Sequence, residues 1–305
     1  MAKRAVLGIL ACTTLVGVVT AQAPAPLFTS ESKLPVRHSA AVFGQKIVYY
    51  DVGAGPAIVL VHGFGSEARF DWGNVLLPLS KHHRVIAMDQ IGFGASDKPF
   101  IDYSIQTYVD FLGEFLRTLH VREFTLAGES LGGWISALYT IEALAPGDSG
   151  TEALPKPKRL VLSDAAGMTA EHMTAQSMPI PIAGTLADAH GVAIVFHDKS
   201  RVTENFVREA WKMKMKANDG FTERSIWTSK KLSAEVVKDR IGSITVPTMV
   251  VWGGNDELVP LEQGRAYTAG IPGARLVIVP ECGHGPAIEK SKEFLDAVIP
   301  FIDGR

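Results

Sequence analysis

Gly128-Glu129-Ser130-Leu131-Gly132 places a serine between two glycines, a spacing that can do acyl chemistry. The apolar run Phe124-Thr125-Leu126-Ala127 precedes it, and a second apolar stretch, Leu131 to Ile141, follows. A sharp strand-to-helix turn needs small residues on both flanks, because a Cβ at either glycine would clash across the turn. Such a turn lifts the hydroxyl clear of a sheet. It also aims the Leu131 amide at a developing oxyanion, at the positive end of the next helix. The bland alternative is a glycine-rich turn with a chance serine; the strand and helix patterns on either side argue against it.

A nucleophilic serine needs a base, and the base needs an orienting carboxylate. Asp256 follows the apolar run Thr248 to Trp252, and His284 follows Leu276 to Val279. The chain order Ser130, Asp256, His284 is the one expected for a serine on a strand-turn-helix elbow. Asp164, after Leu160-Val161-Leu162-Ser163, is the runner-up acid. His62-Gly63-Phe64-Gly65 ends another apolar run, and its Phe64 amide can serve as the second oxyanion donor. His62 itself is expected to brace that loop. Cys282 lacks an elbow and is only a remote nucleophile. This chemistry calls for no metal and no organic cofactor.

Each segment starts where an apolar strand ends, and the carboxyl ends of strands line the crevice of an open α/β sheet. The positioning elements alternate accordingly. Strands are expected at 40–43, 46–50, 57–61, 84–88, 124–127, 160–162, 248–252 and 276–279. Helices are expected at 70–79, 105–119, 131–141 and 292–302. The fold class is therefore α/β, a doubly wound, mostly parallel sheet whose first two strands form an antiparallel edge. Ala145 to Lys158, with three prolines and two glycines, reads as a surface insertion. Residues 167–242 hold no strand of the core rhythm. They read as an inserted helical cap, with helices expected over Thr203 to Lys216 and Ser233 to Ile241.

These motifs together resemble the α/β-hydrolase superfamily, in its lid-bearing esterase, epoxide hydrolase and C–C hydrolase branch. The resemblance covers residues 37–305 and is weakest in the cap. It includes Asp89-Gln90-Ile91-Gly92-Phe93-Gly94-Ala95-Ser96-Asp97, Trp252-Gly253-Gly254-Asn255-Asp256, and Gly283-His284-Gly285-Pro286 with Glu289. It implies an α/β-hydrolase fold, structural roles for Asp89 and Ser96, and a Ser130-Asp256-His284 triad. Departures narrow the reaction. Epoxide hydrolases and dehalogenases of this branch use an aspartate where this chain has Ser130, and dehalogenases place a tryptophan where it has Leu131. C–C hydrolases often carry asparagine at the position of Glu129. Glu129 is expected to point away into a hydrogen-bond network; the alternative is that it tunes the pocket.

The chain has 305 residues, 47% of them hydrophobic, which suffices for a core of 37–166 and 243–305 with the cap at 167–242. Thirty basic and 32 acidic residues leave no electrostatic footprint for nucleic acid. Met1-Ala2-Lys3-Arg4, an apolar run to Val19 and small residues at 20–23 have the layout of a signal peptide, cut after Ala21. The expected location is therefore exported, periplasmic or secreted, with no stable membrane insertion after cleavage; an uncleaved anchor is the alternative. The expected partner is a small acyl substrate and the expected reaction is ester hydrolysis. C–C bond hydrolysis, perhydrolase or acyltransferase activity on the same triad, and an inactive binding protein are the rivals.

Overall fold

A computed structural model describes residues 27–146, 153–170 and 183–305. The signal-peptide segment, most of the proline-rich insertion's centre and residues 171–182 of the expected cap lie outside the described residues.

The β-branched and aliphatic runs form eight strands: β1 His38–Val42, β2 Gln45–Val52, β3 Ala57–Val61, β4 Arg84–Met88, β5 Phe124–Glu129, β6 Arg159–Ser163, β7 Thr248–Gly253 and β8 Arg275–Val279. They make one sheet in the order β1-β2-β4-β3-β5-β6-β7-β8. The β1–β2 and β2–β4 pairs are antiparallel, and every other pair is parallel. This matches the expected antiparallel edge. Helices α1 Ala68–Ser80, α2 Ile105–Thr118 and α3 Leu131–Leu144 alternate with the strands. Then come α4 Glu204–Ala217, α5 Gly220–Trp227, α6 Leu232–Glu235, α7 Leu261–Gly270, α8 Pro286–Glu289 and α9 Ser291–Ile302.

The sheet is buried on both faces, which is why its central strands read as unbroken apolar runs. On β3, Val59 and Val61 enter the core shared with α2, α3 and α7, whereas Ile58 and Leu60 enter the core shared with α1 and α9. Chain direction across the sheet reverses at β3. The loops after β3 and β5 therefore open at a topological switch point, where such sheets place their sites.

The 203–216 helix appears as α4, capped by Thr203, whose side chain accepts the Phe206 amide. The helix expected over 233–241 shrinks to α6 and a 3-10 turn at Ile241–Ser243. Tertiary bonds compete for this stretch. The Glu235 carboxylate accepts the Ile105 and Gln106 amides at the start of α2, and the Val237 amide donates to the Gly167 carbonyl. Two helices carried no clear apolar stripe. α5 buries Thr222 and Glu223, and α7 packs Gly264 onto the Trp252 indole.

Candidate active site

Ser130 sits between β5 and α3 with φ 52° and ψ −116°. A positive φ at a non-glycine residue costs on the order of 1–3 kcal/mol and persists only where the surroundings enforce it. Here they do. The Ser130 amide donates to the Ser163 carbonyl at 2.9 Å, and its own carbonyl accepts the Trp134 and Ala166 amides. A Cβ on Gly128 would collide with the Gly132 carbonyl, and one on Gly132 with the Val61 and His62 carbonyls. The two glycines thus let the elbow close against the loop after β3.

That loop carries the second expected oxyanion donor. Neither the Phe64 nor the Leu131 amide is spent on another protein group among the described residues. His62 is fully buried; its Nδ1 lies 2.8 Å from the Gly63 carbonyl and its Nε2 accepts the Gln90 amide at 3.0 Å. It braces the loop, as expected. Asp71 on α1 does the same from the other side, accepting the Gly63 amide at 2.6 Å and the Ser66 hydroxyl at 2.5 Å. The Phe64 ring packs edge-on against Trp227 of α5, 4.5 Å between centroids. Asp89 and Ser96 are structural: Asp89 accepts the Ala68 and Ala95 amides, and Ser96 bridges the Asp89 carbonyl and the Val48 amide.

His284 Nδ1 lies 2.7 Å from Asp256 Oδ2, and Asp256 Oδ1 is fixed by the Leu258 and Val259 amides. Asp164 does not reach the imidazole by a hydrogen bond. Its carboxylate accepts the Gly253 and Gly285 amides at 2.8 and 3.0 Å, which ties the Asp256 loop to the His284 loop. Asp164, Asp256 and His284 lie within 4.8 Å of one another, compact enough to hold a metal ion. Their facing atoms are already engaged with one another and with those amides. Cys282 is fully buried, and burial pushes its thiol pKa up, which disfavours a thiolate.

Glu129 differs from expectation. Its carboxyl does not point away from the site but lies beside Ser130, with Oε1 3.2 Å from His284 Nε2 and Oε2 over Gly63. Among the described residues, Ser130 makes no side-chain hydrogen bond to His284. Burial, then the neighbouring Asp71, push the Glu129 pKa well up. Burial opposes the charged form of His284, yet Asp256 and Glu129 outweigh it and raise the His284 pKa. The sequence could flag Glu129 only as an unusual neighbour.

Above the serine is a cavity of about 230 Å³, lined mainly by apolar side chains such as Phe64, Phe70, Val192, Trp211, Met213 and Leu258. Trp211 and Met213 line it from α4, whereas Phe196 and Met168 are buried in packing and Met215 is exposed. The one lysine or arginine on the described wall, Lys214, is ion-paired with Asp219 at 2.7 Å and with Glu223. Acidic Asp71, Glu129, Asp188 and Glu223 share the same wall.

The segment over the cavity is tied to both site loops. The buried Glu289 carboxylate accepts the His197, Asp198 and Gly283 amides, and the His284 amide donates to the Val195 carbonyl at 2.7 Å. Glu223 packs its carboxylate against Gly65 of the Phe64 loop.

Comparison with known proteins identifies the family and the fold. The chain is 29% identical over 267 residues to a 2-hydroxy-6-oxo-2,4-heptadienoate hydrolase of Pseudomonas putida, covering 83% of this chain and 91% of that protein. It is 27% identical to the 2-hydroxy-6-oxo-6-(2'-aminophenyl)hexa-2,4-dienoic acid hydrolase of Metapseudomonas resinovorans, covering 86% and 89%. The crystal structure of a meta-cleavage product hydrolase superposes with a TM-score of 0.78 at 23% identity, covering 88% of this chain and 98% of that one, and so has the same fold. The sequence profile of the alpha/beta hydrolase family matches residues 58–297, and the chain belongs to that family.

Proposed function

We propose that this hydrolase cleaves a carboxylic ester of a small, uncharged and largely apolar molecule through an acyl-enzyme on Ser130. The observation that carries this reading is the character of the cavity. Its wall is apolar, its polar groups are mostly acidic, and Lys214 is already neutralised by two carboxylates. An anionic substrate entering it would meet no free positive charge among the described residues, and residues 171–182 contain no lysine or arginine.

In the reaction, Ser130 Oγ attacks the ester carbonyl while His284 Nε2 takes its proton. Asp256 holds the proton on Nδ1 and stabilises the imidazolium. The Phe64 and Leu131 amides receive the oxyanion. His284 then gives the proton to the departing alkoxide. Water, deprotonated by the same nitrogen, releases the acid and regenerates Ser130. Residues 167–242 act as a cap that shapes the cavity. The N-terminal segment, by its signal-peptide layout, directs export.

A second reading, C–C bond hydrolysis, is favoured by the named activities of the relatives at 27–29% identity. Such dienoate substrates carry a carboxylate. The cap residues Arg201, Arg208 and Lys212 do not line the cavity, and Lys212 pairs with Glu209 at the surface. A panel of p-nitrophenyl esters from acetate to octanoate, run beside a 2-hydroxy-6-oxo-dienoate, separates the two. Ester reading: kcat/KM for the best ester at least about a hundredfold above the dienoate, a gap of about 2.7 kcal/mol. The reverse order establishes C–C hydrolysis instead.

A further inference from the structure

The backbone around His284 is held partly by the segment that overlies the cavity. We infer that Glu289 is a positioning residue for the base: it fastens residues 195–198 to the His284 loop, and that segment in turn holds the His284 backbone in place. The inference rests on the proposed serine chemistry and deepens it by naming what seats its base.

Three consecutive amides frame the base, and each has a different acceptor. The Gly283 amide donates to Glu289 Oε2 at 2.7 Å, the His284 amide to the Val195 carbonyl at 2.7 Å, and the Gly285 amide to Asp164 Oδ2 at 3.0 Å. The middle acceptor belongs neither to the sheet nor to α8. It closes the 3-10 turn Asp188–Val195, in the segment over the cavity. The amide of the base itself therefore depends on where that segment sits. Val195 and Val192 also line the cavity, so the turn that takes the His284 amide is part of the wall that meets substrate.

Glu289 supplies the fastening. It is buried at the end of α8, and its Oε2 accepts two amides at once, Gly283 at 2.7 Å and His197 at 3.0 Å. One oxygen atom thus joins the base loop to the overlying segment. Oε1 accepts the Asp198 amide at 2.8 Å, and the Glu289 carbonyl accepts Arg201 Nη1 at 3.0 Å. Removing the carboxylate would leave its amides without an acceptor inside the protein, which is costly, so the segment must shift to find others. The fit is also close. A Cβ on Gly283 would lie 2.4 Å from the Val195 carbonyl oxygen and 2.7 Å from the His197 nitrogen. Glycine at this position lets the two backbones meet.

The test measures kcat and KM for a p-nitrophenyl ester, per site titrated to completion with a fluorophosphonate, in the wild type, Glu289→Ala, Glu289→Gln and Gly283→Ala. Titration removes misfolded protein from the count. A catalytic group misplaced by about 1 Å loses on the order of a hundredfold in rate, so Glu289→Ala is expected to lower kcat by about that factor, with KM little changed. Fluorophosphonate labelling, which uses the same base, should slow in parallel. Glu289→Gln keeps one carbonyl oxygen for the Gly283 and His197 amides, and is expected to stay within about tenfold of wild type. Gly283→Ala keeps every hydrogen-bonding side chain but pushes Val195 and His197 away, and is expected to match Glu289→Ala. A kcat in Glu289→Ala within about threefold of wild type, or a raised KM with kcat intact, overturns the positioning role. Equal losses in Glu289→Ala and Glu289→Gln overturn the assignment to the shared oxygen. If Glu289→Ala does not fold, Gly283→Ala decides: an unchanged kcat there overturns the inference. No adduct on Ser130 of the wild type removes the serine reading itself, whereas a labelled wild type with unimpaired variants removes only the role of Glu289.

Discussion

Replacing Ser130 with Ala is expected to lower kcat for a p-nitrophenyl ester by about six orders of magnitude, the scale on which a triad nucleophile is lost. Thermal stability should hardly change. The Ser130 hydroxyl makes no side-chain hydrogen bond to His284 among the described residues, and its backbone bonds to Ser163, Trp134 and Ala166 do not involve the side chain. The positive φ of 52° is imposed by that frame and by the absence of Cβ atoms at Gly128 and Gly132. An alanine there inherits the same strain. Unchanged melting beside vanished turnover places the effect in the chemistry. Turnover within tenfold of wild type would show that the reaction runs through another group.

The second large effect concerns the acid. Asp256→Asn is expected to cost about four orders of magnitude in kcat, because an amide NH₂ facing Nδ1 favours the wrong imidazole tautomer. The geometry separates this role from that of Asp164. Asp256 spends one oxygen on His284 and the other on the Leu258 and Val259 amides. Asp164 spends both oxygens on the Gly253 and Gly285 amides. Asp164→Asn turns one accepted bond into a clash of two donors inside a buried site. It is therefore expected to lower the melting temperature while costing kcat far less than Asp256→Asn. Steady-state kinetics and thermal melts of the two variants check this. The opposite ranking in kcat would make Asp164 the working acid.

Much of this site was legible in the sequence because its parts sit at strand ends. Ser130 and Asp256 each follow an apolar run buried on both faces, and His284 follows the half-buried apolar run of the edge strand β8; such runs are conspicuous. The elbow announces itself through Gly128 and Gly132, whose small size the close approach of the Val61 and His62 carbonyls demands. What escaped the sequence depended on distant partners. Glu129 turns inward, to within 3.2 Å of His284 Nε2, and His284 is not near it in sequence. The stretch after Glu235 leaves the helix because the Gly167 carbonyl takes the Val237 amide and the start of α2 takes the Glu235 carboxylate. Helix α5 gave no apolar stripe because its inward face carries Thr222 and Glu223, with Glu223 paired to Lys214. Buried polar pairs erase the periodic signal on which such a reading depends.

Covalent labelling tests the central claim most directly. The purified protein, treated with a fluorophosphonate and digested, should carry one adduct on the peptide containing Ser130. The Ser130→Ala variant should carry none, and Asp256→Asn should label far more slowly than wild type. Labelling of another residue, or labelling that persists in Ser130→Ala, would contradict the assignment of Ser130 as the nucleophile.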